Sequence, residues 1–78
     1  MEIKVKIREI NDIIANWMKE IMRKHNLSAH KWASMAETAP TNITRFLMYK
    51  KNTPRLETII KLAAALNEEL PIKYEIKK

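Results

Sequence analysis

Cysteine is absent from the 78 residues of this chain, and so is glycine; there are three prolines, one phenylalanine, two tryptophans and two tyrosines. Without cysteine, neither a disulfide framework nor a cysteine-ligated zinc knuckle can stabilise the fold. Without glycine there is no glycine-rich loop to cradle a phosphate. His25 and His30 stand across a helix break with no carboxylate or cysteine set beside them, so no metal site is expected. No nucleophile–base pair stands out and the chain is too short to wall a deep pocket, so neither an enzyme nor a cofactor is expected. Apolar runs stay well short of the roughly 18–20 residues that span a membrane. The opening MEIKVKIREI is too charged for the apolar region of a signal peptide. These absences together lead us to expect a protein of the cytosol.

What is present is aliphatic and basic. Hydrophobic residues make up 46% of the chain, which with so few aromatics implies a core of Ile, Leu, Met and Ala. Such a chain forms one domain, 1–78, near the lower size limit for folding without a staple, so helix packing must supply the stability. Fifteen Lys and Arg against nine Asp and Glu leave a net charge of +6. A surplus of that size on so small a domain points toward a polyanionic partner.

The apolar periodicity changes along the chain. In residues 2–8, Ile3, Val5 and Ile7 alternate with Lys4, Lys6 and Arg8, the period of a half-buried strand, the competing reading being that residues 2–10 simply begin the first helix. Residues 72–76 repeat it, with Ile72, Tyr74 and Ile76 against Lys73 and Glu75. Between these ends the period becomes helical. A first helix is expected from Asn11 or Asp12 to about His25, with Ile14, Met18 and Ile21 as its stripe and Asn26 as a left-handed terminator. A second begins after the cap Ser28, with Leu27 and Trp32 spaced as a hydrophobic staple. A third covers about 40–48, opened by Pro40 and buried through Ile43, Phe46 and Leu47. A fourth runs from Thr53 and Pro54, a cap followed by a first-turn proline, to about Leu66, with Leu56, Ile59, Leu62, Ala63 and Leu66 facing the core.

Residues 27–47, LSAHKWASMAETAPTNITRFL, thus place two short amphipathic helices a few residues apart. A short helix, tight turn and short helix form a helix-turn-helix, here about 28–48, whose stripes need the first and fourth helices to bury them. The third helix then stands proud, and one helix fits the major groove of B-DNA.

Three stretches resemble the phage-repressor-like (Cro/repressor, xenobiotic-response-element type) helix-turn-helix family. Leu27, Ser28 and Ala33 look like the opening of its second helix, Asn42–Leu47 (NITRFL) like its recognition helix, and TPRLETIIKLAAAL from Thr53 to Leu66 like the stretch after its exposed loop. The similarity runs over about residues 12–67. It implies a mainly α, compact lambda-repressor-like domain of four to five helices, which in this chain would carry the short terminal strands. It also implies a bacterial or phage transcriptional regulator, a repressor by expectation, that binds a near-palindromic double-stranded operator as a homodimer; the two terminal strands, by their own pattern, invite pairing with each other or with a second subunit.

By position, the resemblance implies base contacts from Pro40, Thr41, Asn42, Thr44 and Arg45, with Arg45 the candidate for bidentate bonding to guanine. It implies phosphate contacts from Ser28, His30 and Lys31 at the start of the second helix, and from Lys50, Lys51, Asn52 and Arg55 in the loop. Three positions differ from the usual pattern: Glu37 replaces the turn glycine, and Ala39 and Ala29 replace polar residues. Two alternatives stay open. One is an antitoxin of the same fold that binds a toxin partner and its own promoter. The other is a protein-interaction module that has lost DNA reading, suggested by Ala29, Ala39 and Glu37.

Overall fold

The computed structural model of the protein describes residues 7–50 and 52–71, and these form four α-helices: α1 Ile7–His25, α2 Ala29–Met35, α3 Thr41–Tyr49 and α4 Leu56–Ala65. None of the described residues is in a strand. The expected strand over 72–76 and most of that over 2–8 lie outside the described residues, while residues 7 and 8 open α1 instead. The first helix therefore starts earlier than its expected cap at Asn11 or Asp12. Ile10, packed against the core, leads the stripe that continues through Ile14 and Met18, so the helical period is set before Asn11.

Ile14 and Met18 of α1 are fully buried, as are Trp32 and Ala33 of α2, Ile43 of α3 and Leu62 of α4. Each large aliphatic side chain removed from water in this way contributes roughly 1.5–3 kcal/mol. Trp32 is the largest of them, and its indole N–H needs a partner in so apolar a place. It donates to the Leu62 carbonyl at 2.9 Å, joining α2 to α4. Trp17 tilts against it with ring centroids 5.6 Å apart and donates its own N–H to the Glu69 carbonyl at 3.1 Å. Both tryptophans thus serve packing. Leu56 does not: as the first residue of α4 it is 45% exposed, while Ile59 and Leu62 further along are buried.

The helix ends are built without glycine. After α1, Asn26 takes φ 53°, Leu27 N–H donates to Met22 O at 2.9 Å and Asn26 N–H to Arg23 O at 3.3 Å. Those two bonds satisfy carbonyls that the helix end leaves open, with Asn in the left-handed position. The end of α4 repeats the pattern with Asn67 at φ 54° and Glu68 N–H on Ala63 O at 2.9 Å. That turn aims Glu68 at the end of α1, where its carboxylate lies 2.9 Å from Lys24 Nζ and 2.7 Å from His25 Nε2. Hydrogen bonds from Lys24 and then His25 hold the Glu68 carboxyl below its ordinary pKa of 4.5.

A carboxyl whose pKa is lowered by folding stabilises the fold above its unfolded value and loses that contribution as pH falls through its folded value. Glu68→Gln is therefore expected to lower the melting temperature at pH 7. The gap to the wild type should close as pH drops below 4.5; thermal denaturation of both proteins across pH 3–7 reads this.

Candidate functional site

The exposed side of α3 is fixed by what the other side must do. Ile43 and Phe46 are buried at 0% and 6% exposure, and Leu47 packs partly buried beside them. On a 3.6-residue period this turns Thr41, Arg45 and Tyr49, each four residues on from the last, outward on one line. All three border a cleft of about 780 Å³ between α3 and the segment leading into α4. Asn42 lines it too, and across from them lie Asn52, Thr53, Arg55 and Thr58. The side chains of Arg45 and Arg55 are exposed and make no hydrogen bond or ion pair among the described residues.

The turn into α3 carries backbone strain. Glu37 has φ 56°, with its N–H donating to Ser34 O at 3.2 Å and Thr38 N–H to Ala33 O at 2.9 Å. This left-handed turn is the geometry that the missing glycine would have eased, and a side chain there costs about 1 kcal/mol. Pro40 caps α3 through its backbone alone. The polar side chains nearby close the turn on itself: Asn42 Nδ2 donates to Thr38 Oγ1 at 2.7 Å, and Thr44 Oγ1 to Pro40 O at 3.3 Å.

Of the twelve positions singled out from the sequence, Thr41, Asn42, Arg45, Asn52 and Arg55 come together around the cleft. Pro40 and Thr44 are half-buried beside it and do not line it. Ser28, His30 and Lys31 sit apart, at the start of α2, where Ser28 Oγ accepts the Lys31 N–H at 3.1 Å as the expected cap. Lys50 ends α3 in a left-handed conformation, φ 52°, with its ammonium 3.8 Å from Asp12 Oδ1. Lys51 lies outside the described residues.

Sequence reasoning passed over Tyr49 and Thr58, although Tyr49 continues the four-residue spacing of Thr41 and Arg45. It also misread Asn11 and Thr53, both taken as helix caps. Asn11 is 1% exposed, the buried polar residue of the core. Its Nδ2 donates to Lys50 O at 3.0 Å, and its Oδ1 accepts the Thr53 hydroxyl at 2.7 Å. Thr53 is thereby occupied, and Arg55, with extended backbone and no side-chain cap, opens α4 instead. The available signal was a polar residue on an apolar stripe: Asn11, Ile14, Ala15 and Met18 share one face.

Among the described residues no three or more His, Cys, Asp or Glu gather where a metal would bind, and no helix is long and apolar enough to cross a membrane. Comparison with protein-family models, with curated proteins and with solved structures finds no match.

Replacing Glu37 with glycine removes the left-handed cost while adding some backbone entropy to the unfolded chain. Glu37→Gly is expected to stabilise the protein by about 0.5–1 kcal/mol. That corresponds to a rise of about 2–8 °C in melting temperature for a domain of this size.

Proposed function

We propose that the protein is a sequence-specific double-stranded-DNA-binding regulator of transcription, a repressor in form, of the phage-repressor-like helix-turn-helix type. The observation that carries the reading is the cleft. Thr41, Arg45 and Tyr49 stand outward on α3 beside Asn52 and Arg55, while Ile43 and Phe46 hold the opposite side of the helix in the core. In this reading α3 enters the major groove, Arg45 reads guanine through O6 and N7, and Thr41 and Asn42 meet neighbouring base edges. Lys50, Asn52 and Arg55 grip the phosphates, which fixes register without reading sequence. The α2 start adds Ser28, His30 and Lys31 to the same backbone contacts.

The partner DNA is a near-palindromic operator bound by a homodimer, with half-sites about one helical turn apart. Leu56 and Ile60, one turn apart on α4 and 45% and 46% exposed, offer that dimer an apolar stripe. The protein works in the cytoplasm, without catalysis and without a cofactor. A second reading, in which the helices serve a protein partner such as a toxin, is favoured by the same stripe and by Met48 at 71% exposure. Co-purification of a second small protein would favour an antitoxin that also binds its own promoter, whereas duplex affinity no greater than that of an unrelated basic protein at matched salt would favour a module that has lost DNA reading.

Selection of bound duplexes from a random pool supplies the operator on which the two contact types separate. Arg45→Ala is expected to weaken operator binding by about 5- to 150-fold at one base pair's discrimination, with little change on random duplex. Lys50→Ala should weaken both duplexes alike and reduce the salt slope by about one unit. Equal losses on operator and random DNA for both variants would overturn this division.

A further inference from the structure

We propose that Asn11, remote in sequence from the interface, is the positioning residue that sets the cationic segment after α3 at its working height. The inference rests on the duplex-binding reading above. Asn11 is 1% exposed and each of its amide atoms is committed: Nδ2 to Lys50 O, 39 residues away, and Oδ1 to the Thr53 hydroxyl, 42 residues away. Those partners bracket the segment that carries Lys50 and Asn52 and leads to Arg55. The clip therefore spans a stretch that the helices on either side do not fasten, since α3 ends at Tyr49 and α4 begins at Leu56.

The backbone supplies the reason such a clip is needed. Lys50 is left-handed at φ 52°, a conformation disfavoured for a residue with a Cβ, and its own N–H bonds back to Phe46 O at 2.8 Å. Its carbonyl faces α1, where the Asn11 amide donates to it at 3.0 Å. Beside it Asp12 Oδ1 lies 3.8 Å from the Lys50 ammonium, so one turn of α1 holds both the backbone and the side chain of this residue. The two exposed groups differ from the clip: at 51% and 41% side-chain exposure the ion pair yields readily to a phosphate, while the buried amide stays. Asn11 touches no ligand in this arrangement and acts wholly through the segment it holds.

The test pairs binding with local opening. Asn11→Leu fills the same space without a donor or acceptor. On a random 20-base-pair duplex its salt slope should fall by about one unit relative to wild type. In the Lys50→Ala background the same substitution should change the slope no further, because both act on one contact. Hydrogen exchange of the Lys50 amide should quicken by about tenfold while that of Trp32 is unchanged, marking local release rather than global loss of stability. Thr53→Val and Thr53→Ser keep the test decisive if Asn11→Leu does not fold: valine should lower the slope and serine preserve it. An unchanged slope in Asn11→Leu or Thr53→Val, or equal acceleration of the Lys50 and Trp32 amides, overturns the positioning role. A wild-type chain without salt-dependent duplex affinity overturns the duplex reading itself, and it does so before any variant enters the comparison.

Discussion

The burial of Ile43 and Phe46 constrains everything outward of it. A nine-residue helix has too few turns to hold its place by backbone hydrogen bonds alone, and its stability comes from packing. Two side chains set against Trp32, Ile14 and Met18 in one core fix its rotation about its axis. Once that rotation is set, the four-residue spacing of Thr41, Arg45 and Tyr49 determines which side chains meet the cleft. Trp32 is central to the arrangement, because its indole both fills the core and ties α2 to α4 through Leu62 O. The support for α3 is therefore assembled from three other helices, and no local feature of α3 would suffice.

A glycine-free chain must still turn at every helix end, and four residues carry the consequence. Asn26 and Asn67 take left-handed conformations that asparagine tolerates through its short polar side chain. Glu37 and Lys50 have no such help, and both flank α3, one at each end. Glu37 is stabilised by the paired backbone bonds of its turn. Lys50 gains the Asn11 amide on its carbonyl. Local strain thus lies where the chain enters and leaves α3, held at one end by the backbone bonds of the turn itself and at the other by the Asn11 amide from α1.

The helices were readable wherever burial followed the 3.6-residue period. Ile14, Met18, Ile21, Ile43, Phe46, Ile59 and Leu62 all lie in the core as their spacing implied. Caps were readable where the capping group is local: Ser28 bonds Lys31 N–H within one turn, and Asn26 ends α1 as its residue type suggests. The readings that missed concern polar groups with distant partners. Asn11 and Thr53 look like caps in sequence because each precedes an apolar run, yet their partners are each other and Lys50 O. No window of ten residues contains that information. Leu56 was misassigned for a related reason, since Thr53 was no longer free to start α4 where the pattern placed it.

Charge follows the same division between groups satisfied inside the fold and groups left outside it. At the end of α1, Arg23 pairs with Glu20 at 2.8 Å and Lys24 with Glu68 at 2.9 Å, so these cations neutralise neighbours and oppose the helix dipole. On α4, Lys61 lies 3.5 Å from Glu57. Around the cleft the situation reverses, because neither Arg45 nor Arg55 has a partner among the described residues. Exposed surface pairs contribute little to stability, so their placement is weakly constrained by folding. Two unpaired guanidinium groups on opposite walls of one polar cleft carry more meaning, since each keeps its forked donors free for a planar or tetrahedral anionic acceptor.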